Sequence, residues 1–281
     1  MNIIFLSGKG GTGKTLVSTN LAAVVNQGTY YDCDVEEPNG HLFLKPTIEE
    51  RIDVIKQIPV FDLNRCVGCR ECVDFCRFNA LAMIHNRVWI QESLCHGCGG
   101  CRLVCKHDAI SEKNHEIGHI DKGRYRNMTI LTGWMNVMEE AATPIIETML
   151  ALSSKESINF IDCPPGASCS VMACVEQADY AIIVAEPTLY GLENMKMIIE
   201  LLEQYHKPMG IVLNQVSDSK DPVTAYLTEQ SIPILTKIPY DKNIATWASN
   251  GQLAVMNESN YYDLFSELFA RIQKEVFSWN G

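Results

Sequence analysis

Asn2-Ile3-Ile4-Phe5-Leu6-Ser7-Gly8-Lys9-Gly10-Gly11-Thr12-Gly13-Lys14-Thr15 is the stretch that decides the fold. Its first six residues form an apolar run bounded by glycine, which reads as a buried strand. The next eight match G-x-x-x-x-G-K-[ST], and Val17, Leu21, Val24 and Val25 then recur at helical spacing, with Gly28 expected to close the helix. Strand, glycine loop and helix therefore come in the order a phosphate-binding loop requires. Across Gly8, Gly10, Gly11, Thr12 and Gly13 the backbone N–H groups can converge on phosphate oxygens, helped by the helix N-terminus. Lys14 is expected at the β/γ-phosphates and the Thr15 hydroxyl on Mg²⁺.

Further apolar runs fall near 2–7, 29–33, 157–162, 181–185, 210–214 and 232–238, separated by helical patterns such as Met195, Ile198, Ile199 and Leu202. This alternation predicts an α/β fold, a doubly wound and mostly parallel sheet with ligand loops at the C-terminal ends of its strands. Asp162 ends one such run, as expected of a carboxylate that holds Mg²⁺ and its waters. Gly166 follows two prolines, where its N–H can sense a terminal phosphate and move the segment after it.

The 12 cysteines are, in a reducing compartment, unsuited to disulfides, so metal or redox chemistry is the expected explanation. Eight of them form two runs of identical spacing, Cys66, Cys69, Cys72, Cys76 and Cys95, Cys98, Cys101, Cys105. At the same offset Gly68 matches Gly97, Ala80 matches Ala109 and Leu81 answers Ile110, which marks an internal duplication. In C-x2-C-x2-C-x3-C the first three thiolates hold one cluster and the fourth ligates the other. Crossed ligation is expected: Cys66, Cys69, Cys72 and Cys105 on one [4Fe-4S] cluster, Cys95, Cys98, Cys101 and Cys76 on the second. Structural zinc, the alternative, favours paired cysteines. Bacterial ferredoxins place proline after the fourth cysteine, and here Arg77 and Lys106 stand there. The expected organisation is a nucleotide domain over 1–58 and 119–281, interrupted by a small bacterial-ferredoxin-like domain over 59–118.

The loop GKGGTGKT, with Lys9 directly after its first glycine, resembles the deviant Walker A loop of the MinD/ParA family, whose relatives include the nitrogenase iron protein and the Mrp-type cluster carriers. Asp32 to Asn39, both cysteine runs, Ile161 to Gly166 and Val184 to Thr188 extend the likeness over nearly the whole chain, in particular to family members that carry an inserted ferredoxin. The resemblance implies ATPase activity with ATP/ADP and Mg²⁺, and a homodimer in the ATP state in which Lys9 reaches the partner's phosphates. It implies that Asp34 orients or deprotonates the attacking water, that Asn214 contacts adenine and that Pro239, with Tyr240 and Asp241, lines the base.

Other signals carry less. His115-Glu116-Ile117-Gly118-His119 matches H-E-x-x-H, yet Gly118 and the lack of a helical pattern favour a turn leaving the insert. Leu264, Phe265, Leu268, Phe269 and Ile272 share a helical face, but Asp263, Glu267 and Glu275 offset Arg271 and Lys274, so a closing core helix is expected and not a membrane anchor. Cys33, Cys163 and Cys174 read as buried apolar residues. Cys169 lies seven residues after Asp162, the spacing of the bridging-cluster ligand in the nitrogenase iron protein, but 134–143 has no second cysteine. A net charge of −11 disfavours nucleic acid and anionic membrane as partners. No secretory signal or run of 18 apolar residues is present, so a cytoplasmic protein is expected. Three functions fit the combination: an ATP-gated carrier of low-potential electrons to a redox or metalloprotein partner, an ATPase for cluster or metal-cofactor assembly, and a redox-sensing positioning switch. Firmly ligated clusters are poor cargo, which favours the first.

Overall fold

The computed structural model describes residues 1–153, 157–217 and 221–279. In chain order the elements are β1 (Asn2–Leu6), α1 (Lys14–Val25), β2 (Gly28–Asp32), α2 (Gly40–Leu44), β3 (Thr47–Phe61), α3 (Glu71–Phe75), β4 (Leu81–Ile84), β5 (Arg87–Ile90), α4 (Gly100–Leu103), β6 (Ile110–Tyr125) and β7 (Met128–Met135). They continue as α5 (Thr143–Ala151), β8 (Asn159–Asp162), α6 (Cys169–Glu176), β9 (Tyr180–Ala185), α7 (Leu189–Gln204), β10 (Met209–Val216), α8 (Pro222–Glu229), β11 (Ile234–Pro239), α9 (Lys242–Ser249) and α10 (Ser259–Trp279).

Nine strands form one sheet in the order β11-β10-β9-β1-β8-β2-β7-β6-β3. The first seven of these run parallel, and β6 and β3 close the edge antiparallel. Because the central strands are covered on both faces they are apolar throughout: every residue of β9 is buried. Ile3, Phe5, Tyr30 and Ile130 pack on one face beneath α1 and α10, and Ile4, Leu6, Tyr31 and Leu131 pack on the other beneath α5, α6 and α7. Phe265, Leu268 and Ile272 of α10 are buried in that first layer, as a core helix requires. Among the described residues no helix is long and apolar enough to cross a membrane.

The edge departs from expectation. Strands β3, β6 and β7 were absent from the apolar runs, because β3 and the outer part of β6 are half solvated and charged, and because Thr132 and Gly133 interrupt β7. His115 to His119 lie inside β6 and not in a turn. Gly28 does not end α1: that helix stops at Val25 with Asn26 left-handed as its cap, and Gly28 opens β2 at φ 92. A Cβ on Gly28 would lie 2.0 Å from the Ile158 carbonyl oxygen, so glycine is needed for both conformation and space.

Pairing between β6 and β7 ends at Gly118 opposite Met135, while β6 and β3 stay paired from there to Ile110 opposite Phe61. This two-stranded ribbon leaves the sheet at the C-terminal end of β7, the same edge at which β1, β2 and β8 end, and it projects roughly 25 Å at about 3.4 Å per residue. Residues 62–109 lie between its tips. There α3 packs against α4 and against the hairpin of β4 and β5, and Cys72, Leu81, Val88 and Ile110 form a small separate core.

Candidate functional site

The loop after β1 delivers its glycines to the sheet edge. Gly13 caps α1 at φ 89, and a Cβ there would meet the Asn214 amide at 2.2 Å. Asn214 reaches this point from β10, donating from Nδ2 to the Thr12 carbonyl oxygen at 2.8 Å. Thr12 is buried, and its hydroxyl finds no hydrogen-bond partner. Thr15 follows Lys14 in the first turn of α1. Gly8 packs so closely on the Asn194 backbone that a Cβ would lie 2.3 Å from its oxygen, whereas Gly10 and Gly11 face open space. Pro239 ends β11 at the same edge, exposed, with Tyr240 beyond it.

Behind the loop lies a buried charged cluster. The Lys14 ammonium is 2.5 Å from Asp162 Oδ1. Burial presses its pKa down, but the Asp162 charge and hydrogen bond, assisted by Asp34, carry it above the ordinary value. Asp162 Oδ2 accepts from the Tyr30 hydroxyl at 3.0 Å, and Ser18 Oγ contacts that hydroxyl. Asp34, half-buried beyond β2, is pushed up to about 6 by burial, with Lys14 pulling the other way. Asp32 was not singled out from the sequence. It is 1% exposed, stands opposite Asp162 in the pairing of β2 with β8, and accepts from the Gly40 N–H at 2.7 Å. Burial, then the Asp162 charge, raise it to about 7. Its Oδ1 has no partner. One ammonium thus faces three carboxylates, an excess of negative charge suited to a divalent cation.

Lys9 does not join that cluster. Its Nζ is 2.9 Å from Glu186 Oε2 and 5.4 Å from the centre of the Tyr190 ring. Gly166 adopts φ 86 with nothing near its Cβ position, and its N–H donates to the Ser7 carbonyl oxygen at 2.9 Å. Cys33, Cys163 and Cys174 are buried thiols in mutual contact, and Cys169 is exposed at the start of α6.

The cysteine runs line two separate cavities. One, partly open to solvent, is walled by Cys76, Cys95, Cys98 and Cys101 with Phe75, Phe78 and His96, the last two rings stacked at 3.8 Å. The other, smaller, is walled by Cys66, Cys69, Cys72 and Cys105 with Phe61, Met83 and Val88. Among the described residues no three or more His, Cys, Asp or Glu side chains converge at the spacing of a single metal ion. Neither His115 nor His119 takes part: His115 bonds Glu139 and Glu92, and His119 stacks on Trp134.

Residues 3–255 match the CobQ/CobB/MinD/ParA nucleotide binding domain. The chain belongs to that family. Two uncharacterised proteins of Methanocaldococcus jannaschii resemble it, one 30% identical over 264 residues, covering 90% of each chain, the other 29% identical over 282 residues, covering 98% of each. Among solved structures, the cell-division ATPase MinD of Pyrococcus furiosus superposes with a TM-score of 0.60 at 21% identity, covering 97% of this chain and 98% of that one. MinD of Pyrococcus horikoshii in complex with Mg-ADP gives 0.59 at 20%, covering 95% and 93%. As a MinD/ParA-family chain it has the family's α/β architecture with a mostly parallel central sheet. In this family member Asp32 could have been found from its strand-end position opposite Asp162, but only with the pairing of β2 and β8 in hand.

Proposed function

We propose that this chain is a dimeric, Mg²⁺-dependent ATPase that couples its nucleotide state to low-potential electron transfer through two [4Fe-4S] clusters to a redox or metalloprotein partner. The observation that carries the reading is the pair of cavities. Each is lined by three cysteines of one run and the fourth of the other, the crossed sets that the spacing requires. Four cysteines lining a partly open, largely apolar cavity suit a cubane better than a single zinc ion, whose ligands meet at a point. Residues 59–118 are the cluster-binding unit of this reading, with residues 1–58 and 119–281 its nucleotide domain.

For the nucleotide, Gly8, Gly10, Gly11, Thr12 and Gly13 supply N–H groups to the phosphates, and Lys14 moves from Asp162 toward the β/γ-phosphates. Thr15 and Asp162 would hold Mg²⁺, which would neutralise the charge that develops on phosphate oxygens. Asp34 orients the attacking water, and Asn214 and Pro239 flank the base. Gly166 exchanges its bond to Ser7 for one to the terminal phosphate, which pulls the segment leading into α6. Lys9 leaves Glu186 for the phosphates of the partner subunit. Both cavities hang from the sheet edge that carries these loops, so a second copy docked on that edge lies beside the insert. A role in cluster or cofactor assembly is the competing use of the same parts.

Anaerobic purification followed by iron analysis and EPR of the reduced protein, with and without Mg-ATP, tests the reading. About eight irons per chain and cluster signals altered by nucleotide are expected. A protein that carries zinc and no iron refutes it, and delivery of labelled iron to an apo-acceptor moves the function to assembly.

A further inference from the structure

We propose that the buried ion pair between Lys56 and Glu139 sets the reduction potential of the group held by Cys76, Cys95, Cys98 and Cys101, and makes that potential respond to the nucleotide side of the molecule. The inference rests on the cluster reading above.

Lys56 lies in β3 between Val54 and Ile58 and, like them, is buried, 5% exposed. Its Nζ is 2.7 Å from Glu139 Oε2, with the two side chains 3% and 7% exposed. Glu139 Oε1 is 2.6 Å from His115 Nε2, and His115 Nδ1 is 3.3 Å from Glu92 Oε2, in the turn that leads to Cys95. The cysteine loop itself rests on this strand. A Cβ on Gly97, between Cys95 and Cys98, would lie 3.3 Å from Lys56 Cβ and 3.1 Å from the Gln57 oxygen. Gln57, the next residue along β3, lines the cavity together with Cys95 and Gly97, so the Lys56 side of the strand abuts its wall.

The other end of the pair belongs to the nucleotide domain. Glu139 rides on the segment after β7, where Met135 N–H donates to the Val35 oxygen at 2.9 Å and Asn136 N–H to the Ile117 oxygen at 2.9 Å. Val35 follows Asp34. A displacement of the Asp34 loop is therefore transmitted to the segment that carries Glu139, and from it to the cation beside the cavity. The second cavity takes Phe61 and Ile110 from the ribbon tips, farther along β3 and β6.

Charges in a low-dielectric interior act strongly on a neighbour, and positive charge favours a cluster's reduced, more negative state. Lys56→Met removes the ammonium from the buried Glu139 carboxylate, which keeps its bond to His115, and lowers the midpoint of one cluster. Glu139→Gln leaves the ammonium uncompensated and raises the same midpoint. The double variant restores neutrality and returns it near the starting value. Loosened packing alone does not produce shifts of opposite sign.

The test is EPR-monitored titration with dithionite, which supplies one electron per cluster, on the loaded protein and each variant, with iron measured in every sample. Opposite shifts confined mainly to one of two midpoints are expected, together with a Mg-ATP-induced shift of that midpoint that is lost in the double variant. With about eight irons in place, shifts of the same sign, or none, overturn the proposal, as does a nucleotide shift that survives in the double variant. Should Lys56→Met fail to fold, the upward shift in Glu139→Gln remains the requirement. Protein without iron overturns the cluster reading itself, which the iron assay registers separately.

Discussion

Asp32→Asn separates the electrostatics of the nucleotide pocket from its packing. The carboxyl is 1% exposed and raised to about 7 in the folded chain, whereas it ionises near 3.8 when the chain unfolds. A raised carboxyl binds a proton in the native state that the unfolded state has lost, so its contribution favours folding at low pH and disappears as pH rises through about 7. Between pH 8 and pH 6 the unfolded form stays ionised while the folded form goes from about one-tenth to about nine-tenths protonated. That corresponds to roughly 1 kcal/mol of added stability at pH 6. Asn keeps an oxygen for the Gly40 N–H but cannot titrate. Urea unfolding at pH 6, 7 and 8 on both proteins, without nucleotide, reads the difference directly. The wild type should gain roughly 1 kcal/mol more than Asp32→Asn on acidification, with Asp34 adding the same smaller trend to both. Parallel pH profiles for the two proteins would refute the reasoning, because they would mean that Asp32 is ionised in the fold at no cost. Mg-ATP should reverse the trend, since a divalent cation stabilises the carboxylate.

Cys105→Ser and Cys76→Ser should each reduce iron from about eight to about four per chain, but each should remove a different EPR signal; loss of the same signal in both would contradict crossed ligation. Lys9→Ala should retain nucleotide affinity in equilibrium dialysis and lose hydrolysis, since Lys9 is paired with Glu186 and lies apart from Lys14. Gly118→Ala places a Cβ 2.0 Å from the Trp134 oxygen at the root of the ribbon and should cost roughly 1–3 kcal/mol by thermal unfolding, with the P-loop untouched. Leu268→Ala, fully buried in α10, should cost about 2–5 kcal/mol, and an unchanged melting temperature would argue against a core helix.

The linear sequence carried the phosphate loop, the duplicated cysteine spacing and the parallel core, because each depends on residue types at fixed short offsets. Gly13 before Lys14 needs only local backbone chemistry, and a strand buried on both faces, such as β9, must be apolar whatever its neighbours. Asp32 escaped notice because its raised pKa comes from a partner, Asp162, that is distant in the chain and adjacent only across the pairing of β2 with β8. Strands β3 and β6 escaped because a half-solvated antiparallel ribbon alternates charged with apolar residues and leaves no continuous hydrophobic run. Local patterning therefore determined what kinds of site the chain contains. Tertiary structure alone decided where they stand: the ribbon brings both cysteine cavities to the edge that bears Lys14 and Asp162, and buries Lys56 against Glu139 between them, because side chains remote in sequence become neighbours only when strands pair.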